Sequence, residues 1–267
     1  MNHIKLVLVD IDGTLLNDNG IVTPKTIAAI QKLKEKHILF GIATGRTPYA
    51  VKHLIKDWKI DEYVDIIMGF NGGCYFDMRT QNMSSCYLLD GKYIPMIFNE
   101  FKEFHFNAGI YDQESFHVLK EDDFAKNIAC KNKLPLVVDG LKPYYHKQIE
   151  KMIFMAEKEE IQKISQHYQM NSHPHYRGVQ STSILFEFLN PELSKSKGIQ
   201  KLCQDLHLPL DSILTFGDEL NDYEMIKDYI GVAMGNANPQ IKEVAKYITT
   251  SNNEDGIAEF LISQQII

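Results

Sequence analysis

A nearly continuous apolar run near the start of the chain, Ile4-Lys5-Leu6-Val7-Leu8-Val9, stops abruptly at Asp10-Ile11-Asp12-Gly13-Thr14. So short a run of Val, Ile and Leu suits a strand covered on both faces, as strands of a parallel sheet are. The pattern returns three times. Residues 38–43 end in Thr44-Gly45-Arg46, residues 65–70 in Asn71-Gly72-Gly73, and residues 212–216 in Gly217-Asp218. Between the first runs, Thr23-Pro24 and Thr47-Pro48 mark helix starts, with Thr as N-cap and Pro at the first helical position. Ile27, Ile30 and Leu33 carry the first helix's apolar stripe to about Lys36. Strand and helix alternating at this spacing predict a doubly wound, Rossmann-like α/β core around a parallel sheet. Ligands of such sheets bind beyond the carboxyl ends of the strands, where the polar stops lie.

Residues 82–189 differ in texture. They are rich in aromatics such as Phe98, Phe101, Phe104, Phe106 and Phe116, and strand-like pieces (84–89, 115–119, 152–156, 183–188) alternate with polar helical ones (93–106, 157–168). This predicts an inserted α+β domain with a mostly antiparallel sheet. The α/β pattern resumes after Ser194, with a helix over 197–206, a strand over 212–216, a helix over 222–228, a strand over 230–234 and a helix over 239–246. The expected organisation is a discontinuous core of residues 1–81 and 190–267 interrupted by an insert of residues 82–189.

Composition narrows the function. Lys and Arg number 28 against 35 Asp and Glu, a formal charge of -7, which argues against a nucleic-acid backbone as partner but not against a small phosphorylated ligand. No apolar stretch approaches the ~18 residues of a membrane helix. The run at residues 4–11 is interrupted by Lys5 and Asp10 and lacks a cleavage site, so it does not read as a secretory signal. Cys74, Cys86, Cys130 and Cys203 form no C-x-x-C pair and read as reduced thiols of a cytoplasmic protein.

The polar strand ends carry the candidate chemistry. Asp10 and Asp12, two positions apart, would share a face if strand geometry continued. Paired carboxylates repel and gain from a cation, and an oxygen-rich site suits Mg²⁺. A loop capped by Asp and turned by Gly is the structural alternative. Thr44 could donate to a phosphate oxygen, or be an ordinary loop residue. Lys197 lies near a helix start, where the helix dipole gives a cation no support, which hints at an anion nearby. Lys195 beside it reads as a solvated charge. Gly217-Asp218-Glu219-Leu220-Asn221-Asp222 is a second acidic cluster, and Asp218 could complete a metal site that Asp222 reaches through water. N-capping accounts for one of these acids but not for all. Carboxylates, a hydroxyl and a lysine on one sheet edge make sense for phosphoryl transfer, which rests on positioning and charge neutralisation.

These residues, in this order, resemble the motifs of the haloacid dehalogenase superfamily of phosphatases: Asp10-Ile11-Asp12-Gly13-Thr14-Leu15, Thr44-Gly45-Arg46, Lys197-Gly198, and Gly217-Asp218 through Asn221-Asp222. The insert's position, together with Asn71-Gly72 and Met234-Gly235-Asn236-Ala237, is similar to the Cof-type subgroup with its type IIB α/β cap. The resemblance implies a Mg²⁺-dependent phosphatase acting on small phosphate monoesters, sugar phosphates first among them, through an aspartyl-phosphate. It makes Asp10 the nucleophile and Asp12 the acid/base, with Thr44 and Lys197 holding the transferring group. Lys197 takes the lysine role over Lys195 because Gly follows it. The resemblance implies Mg²⁺ held by the Asp10 carboxylate, the Asp12 main-chain carbonyl and Asp218, with Asp222 near or beyond. It puts Gly13, Gly45, Arg46, Asn71 and Asn221 around the phosphate, and makes the insert a cap that closes over the site and selects substrate. A phosphomutase of the same superfamily is the alternative, and a non-catalytic phospho-ligand-binding protein a weaker one.

Overall fold

The computed structural model describes residues 3–267. The chain divides into two compact units, one of residues up to Ser84 with Ser194–Ile267, the other Ser85–Leu193. The junctions fall between Ser84 and Ser85 and between Leu193 and Ser194, beside the breaks expected at 81/82 and 189/190.

In the first unit one eight-stranded sheet runs in the order Tyr247–Ile248, Ile230–Ala233, Ile213–Gly217, Leu6–Val9, Leu39–Ala43, Ile66–Gly69, Cys74–Asp77, Asn82–Ser85. The first six are parallel, and Cys74–Asp77 turns back antiparallel on Ile66–Gly69. The Leu6–Val9, Ile213–Gly217 and Ile230–Ala233 strands are buried throughout, in keeping with their largely apolar sequence. From Leu6–Val9 the chain steps to one side for Leu39–Ala43. After the insert it steps to the other side for Ile213–Gly217. The winding therefore reverses between Leu6–Val9 and Ile213–Gly217, and this switch point opens a crevice at the strands' carboxyl ends. Val9 is paired with Phe216, and the Asp10 N–H donates to the Phe216 carbonyl at 3.1 Å, so the register itself places Asp10 alongside Gly217-Asp218.

Helix starts follow the capping logic. The Thr23 hydroxyl accepts the Thr26 N–H and Pro24 opens the helix Pro24–Glu35, whose buried face is Thr26, Ala29, Ile30 and Leu33. Ser194 caps the helix Lys195–Leu206, which thus begins two residues earlier than the sequence reading placed it. Its buried positions are Lys195, Ser196, Gly198, Ile199, Leu202 and Cys203. Gly198 sits against Gly72 so closely that a Cβ there would lie 2.5 Å from the Gly72 Cα. Gly72 itself has φ +97°, a left-handed conformation that suits glycine. Two glycines back to back let the helix approach the turn after Ile66–Gly69.

The second unit is α+β, as its texture predicted. Its six-stranded sheet runs Arg177–Thr182, Leu185–Leu189, Met152–Met155, Asn107–Asp112, Ser115–Val118, Leu136–Val138, with only the last pair parallel. Alternation along the central strand divides its packing: Met152 and Phe154 enter one apolar cluster, Ile153 and Met155 another. The expected helix over 93–106 is shorter, Ile94–Glu100, and the strand Asn107–Asp112 follows.

Gly198→Ala is expected to destabilise the first unit by about 1–3 kcal/mol, because the added methyl meets backbone that cannot rotate aside. Denaturant unfolding measures this, and a midpoint equal to wild type would remove the glycine contact from the account.

Candidate active site

The strand ends and the Ser194-capped helix bring three carboxylates and a lysine together in the first unit. Asp10 follows Leu6–Val9, Asp218 follows Ile213–Gly217, and Asp222 lies one turn further on; each has an oxygen within 4.8 Å of the others'. Lys195 enters the group from the first position of its helix. Its Nζ lies 2.6 Å from Asp10 Oδ1 and 2.5 Å from Asp222 Oδ1, and its side chain is fully buried. Lys197 is half-buried and lies off the helix face that carries Lys195 into this group. This corrects the sequence expectation, and the reason is helical phase. Positions 195, 198, 199, 202 and 203 form the i, i+3, i+4 stripe that the helix buries, and 197 falls off it. Gly198 after Lys197 serves the packing on Gly72 and does not mark the lysine that enters the site.

The remaining contacts define the roles open to each group. Asp222 Oδ1 accepts from Lys195, and Oδ2 accepts the Asp218 and Glu219 N–H groups at 3.0 and 3.3 Å. Both its oxygens are engaged, so it suits holding the lysine and the loop better than direct metal ligation. Asp218 Oδ1 accepts from the buried Thr14 hydroxyl at 2.8 Å. Asp10 gives Oδ1 to Lys195, and Oδ2 accepts no hydrogen bond among the described residues. Gly13 has φ +80°, and a Cβ there would collide with Asp218 Oδ2, so glycine alone fits the turn between the acids.

Thr44 is buried, and its hydroxyl accepts the Arg46 N–H at 3.3 Å, which leaves its own proton for another acceptor. Asn71, at φ 56°, donates its N–H to the Thr44 carbonyl at 2.9 Å and lays its side chain against Gly45. The Asn71 Oδ1 and the neighbouring Thr47 Oγ1 are buried without a hydrogen-bond partner. Asp12 is not drawn into the carboxylate group. Its side chain is 67 % exposed, and both its oxygens lie 2.8 Å from Arg46 Nη2. Arg46, expected near phosphate, is thus engaged by Asp12. Asn221 is exposed on the short turn Leu220–Asp222. In the other unit, His173 stacks on Tyr176, His175 stacks on Tyr93, and Arg177 donates to the Leu193 carbonyl. None of the four cysteines is joined in a disulfide, and no helix among the described residues is long and apolar enough to cross a membrane.

Burial dominates the electrostatics. Desolvation pushes the Asp10 carboxyl up to about 7, against the opposing pull of Lys195 and with help from Asp222. Desolvation also raises Asp218 to about 6, opposed by the Thr14 hydrogen bond. Burial works against charge on Lys195, but the Asp10 and Asp222 carboxylates hold its pKa above the ordinary lysine value. Three acids and one lysine leave a formal excess of negative charge. A hard divalent cation with oxygen ligands such as Mg²⁺ fits that deficit and donor set. Asp10 and Asp218 are the carboxylates with capacity to hold it.

Two residues of this arrangement have no site role in the sequence reading: Thr14, and Lys195, which is weighed there and set aside for Lys197. Thr14 carries no local signal because its partner is Asp218, 204 positions away. Lys195 carried one in the phase of its helix.

Comparisons with known proteins identify the family. The profile of the haloacid dehalogenase-like hydrolases matches residues 7–261. A putative phosphatase of Streptococcus pyogenes serotype M6 is 29% identical over 269 residues, covering 96% of both chains. The 5-amino-6-(5-phospho-D-ribitylamino)uracil phosphatase YcsE of Bacillus subtilis is 28% identical over 257 residues, covering 96% of this chain and 94% of its own. A haloacid dehalogenase-like hydrolase from Bacteroides thetaiotaomicron has the same fold, with a TM-score of 0.87 at 24% identity over 99% of this chain and all of its own. The chain belongs to the haloacid dehalogenase-like hydrolase family. It is an enzyme, and its relatives group it with the family's phosphatases.

The raised carboxyl groups fix the sign of a pH dependence. Between the ordinary 3.8 and about 7 the folded protein holds a proton on Asp10 that the unfolded chain has released, so this group's contribution to stability falls as pH rises through that window. Asp10→Asn is therefore expected to lose less stability than wild type between about pH 4 and about pH 7 in chelator. Parallel curves from chemical denaturation would contradict the raised Asp10.

Proposed function

We propose that this protein is a Mg²⁺-dependent phosphatase that hydrolyses small phosphate monoesters, with phosphorylated sugars and polyols as the substrate class, through an aspartyl-phosphate on Asp10. The observation that carries the reading is the buried lysine bridge from Asp10 to Asp222 at the switch point, with Thr44 buried at the end of the adjacent strand. Lys195 holds Asp10 by one oxygen and leaves Oδ2 for attack.

In the proposed reaction, Asp10 Oδ2 forms a bond to phosphorus as the ester P–O bond breaks. Asp12 gives a proton to the departing alkoxide and then takes one from the water that attacks the phosphoryl group, which releases phosphate and restores the Asp10 carboxylate. Lys195 and the Thr44 hydroxyl meet the charge on the phosphoryl oxygens. Asp10 and Asp218 would hold Mg²⁺, which would supply further neutralisation of that charge. Arg46, paired with Asp12, holds the acid/base carboxylate beside the turn. The assignment to phosphorylated polyols follows YcsE, whose named substrate carries a phosphoribityl chain. The unit Ser85–Leu193 is proposed to select among substrates.

Phosphate release from a panel of sugar and polyol phosphates, with Mg²⁺ and with chelator, tests this. Chelator is expected to abolish release, and Asp10→Asn to lower it at least ~1,000-fold with the fold intact. Release that persists in either condition would refute the mechanism. Interconversion of isomers with little free phosphate would favour a mutase.

The lysine assignment has its own test. Lys195→Ala is expected to cost at least ~100-fold in turnover, because it removes a charged donor from the phosphoryl oxygens. Lys197→Ala is expected to stay within about threefold of wild type, since the side chain lies off the buried stripe. The reverse ranking would return the role to Lys197.

A further inference from the structure

Met234-Gly235-Asn236-Ala237 has no part in the chemistry above, yet it touches the turn that carries the acids. Asn236 Nδ2 donates to the Gly13 carbonyl at 2.8 Å, across 223 positions of sequence. Asn236 Oδ1 accepts the Asn252 N–H at 3.0 Å. Asn252, buried, donates from Nδ2 to the Leu16 carbonyl at 3.0 Å and to Asp18 Oδ1 at 3.2 Å. The two asparagines therefore hold the stretch from Gly13 to Asp18 at three points. The loop bearing Asn236 is itself fixed to the site, since the Asn238 N–H donates to the Asp218 carbonyl at 2.9 Å.

Gly13 is the residue whose left-handed conformation leaves Asp218 room, and the peptide that follows it leads directly to Thr14. Because a peptide group is planar and trans, fixing the Gly13 carbonyl also fixes the direction of the Thr14 N–H and the position of the Thr14 Cα, from which its side chain springs. Thr14 in turn donates to Asp218 Oδ1, which settles the rotation of that carboxylate. We infer that Asn236, supported by Asn252, is a positioning residue for the divalent-cation site. It acts through Gly13 and Thr14 on the orientation of Asp218, and it touches neither the cation nor the substrate. This rests on the Mg²⁺ reading above. Loss of a group that orients a ligand characteristically costs ~10–100-fold in metal affinity.

The test is Mg²⁺ binding to the full chain without substrate, by calorimetry and by the Mg²⁺-induced rise in melting temperature. Asn236→Ala and Asn236→Asp both lose the donor to Gly13, and each is expected to weaken Mg²⁺ binding about tenfold or more while the melting temperature in chelator changes little. Asn238→Ala is the control from the same loop. It loses the cap on Gln240 N–H and is expected to lower the melting temperature but leave Mg²⁺ affinity at the wild-type value. Unchanged affinity in Asn236→Ala, with wild type binding Mg²⁺, overturns the positioning role and leaves the metal reading standing. Equal weakening in Asn236→Ala and Asn238→Ala also overturns it, since that is general loosening of the loop. Wild type that binds no Mg²⁺ overturns the metal reading and this inference with it.

Discussion

The ion triad of Lys195 with Asp10 and Asp222 is the interaction on which the rest of the first unit depends. A lysine nitrogen in a fully buried position is tolerable only if its hydrogens meet charge, and here two carboxylates meet them at 2.6 and 2.5 Å. Removal of one partner from such a group leaves buried charge uncompensated, at a typical cost of about 3–5 kcal/mol. The arrangement therefore fixes three backbone segments at once: the end of Leu6–Val9, the first turn of Lys195–Leu206, and the turn into Tyr223–Asp228. Other features serve the same end. Gly72 and Gly198 let the helix come close enough to deliver the lysine, and Asp222 Oδ2 gathers the N–H groups of Asp218 and Glu219 beneath it.

The same triad leaves the acid charge of the site only partly balanced. The lysine neutralises part of the acid charge, but Asp10 and Asp218 keep carboxyl pKa values near 7 and 6. On the proposed reading, protons and a divalent cation would compete for the same oxygens in the neutral range. A site with a full set of counter-charges would have no such competition.

Most of the fold was legible in the sequence because its strands are short apolar runs with polar stops, and because two Thr-Pro pairs mark helix starts. What escaped was decided by tertiary contact. Asn107–Asp112 does not read as a strand, since Asn, Gly and Asp all weaken that signal. Gly109 is nevertheless required, because the Phe116 ring of the neighbouring strand lies over it. At the site, Asp10, Thr44 and Asp218 stand out as ends of strands. Lys195 was passed over for Lys197 because the motif was read as a linear pair and not by the phase of its helix. The exposed Asp12–Arg46 pair was invisible for the same kind of reason: nothing local says that a guanidinium at one strand end faces a carboxylate at another.

The switch point carries one more implication, for the order in which the molecule can come into being. The Leu6–Val9 strand has Leu39–Ala43 on one side and Ile213–Gly217 on the other, and Lys195 reaches Asp10 from 185 positions away. While a ribosome is still making the insert, the first strand has one neighbour and an open edge, and Asp10 has neither its lysine nor Asp218. The half-built sheet is an exposed template for pairing with other chains. Only synthesis of the last quarter of the polypeptide closes that edge. Closure of that edge and assembly of the acid–lysine group therefore both wait for the last part of the chain to be made.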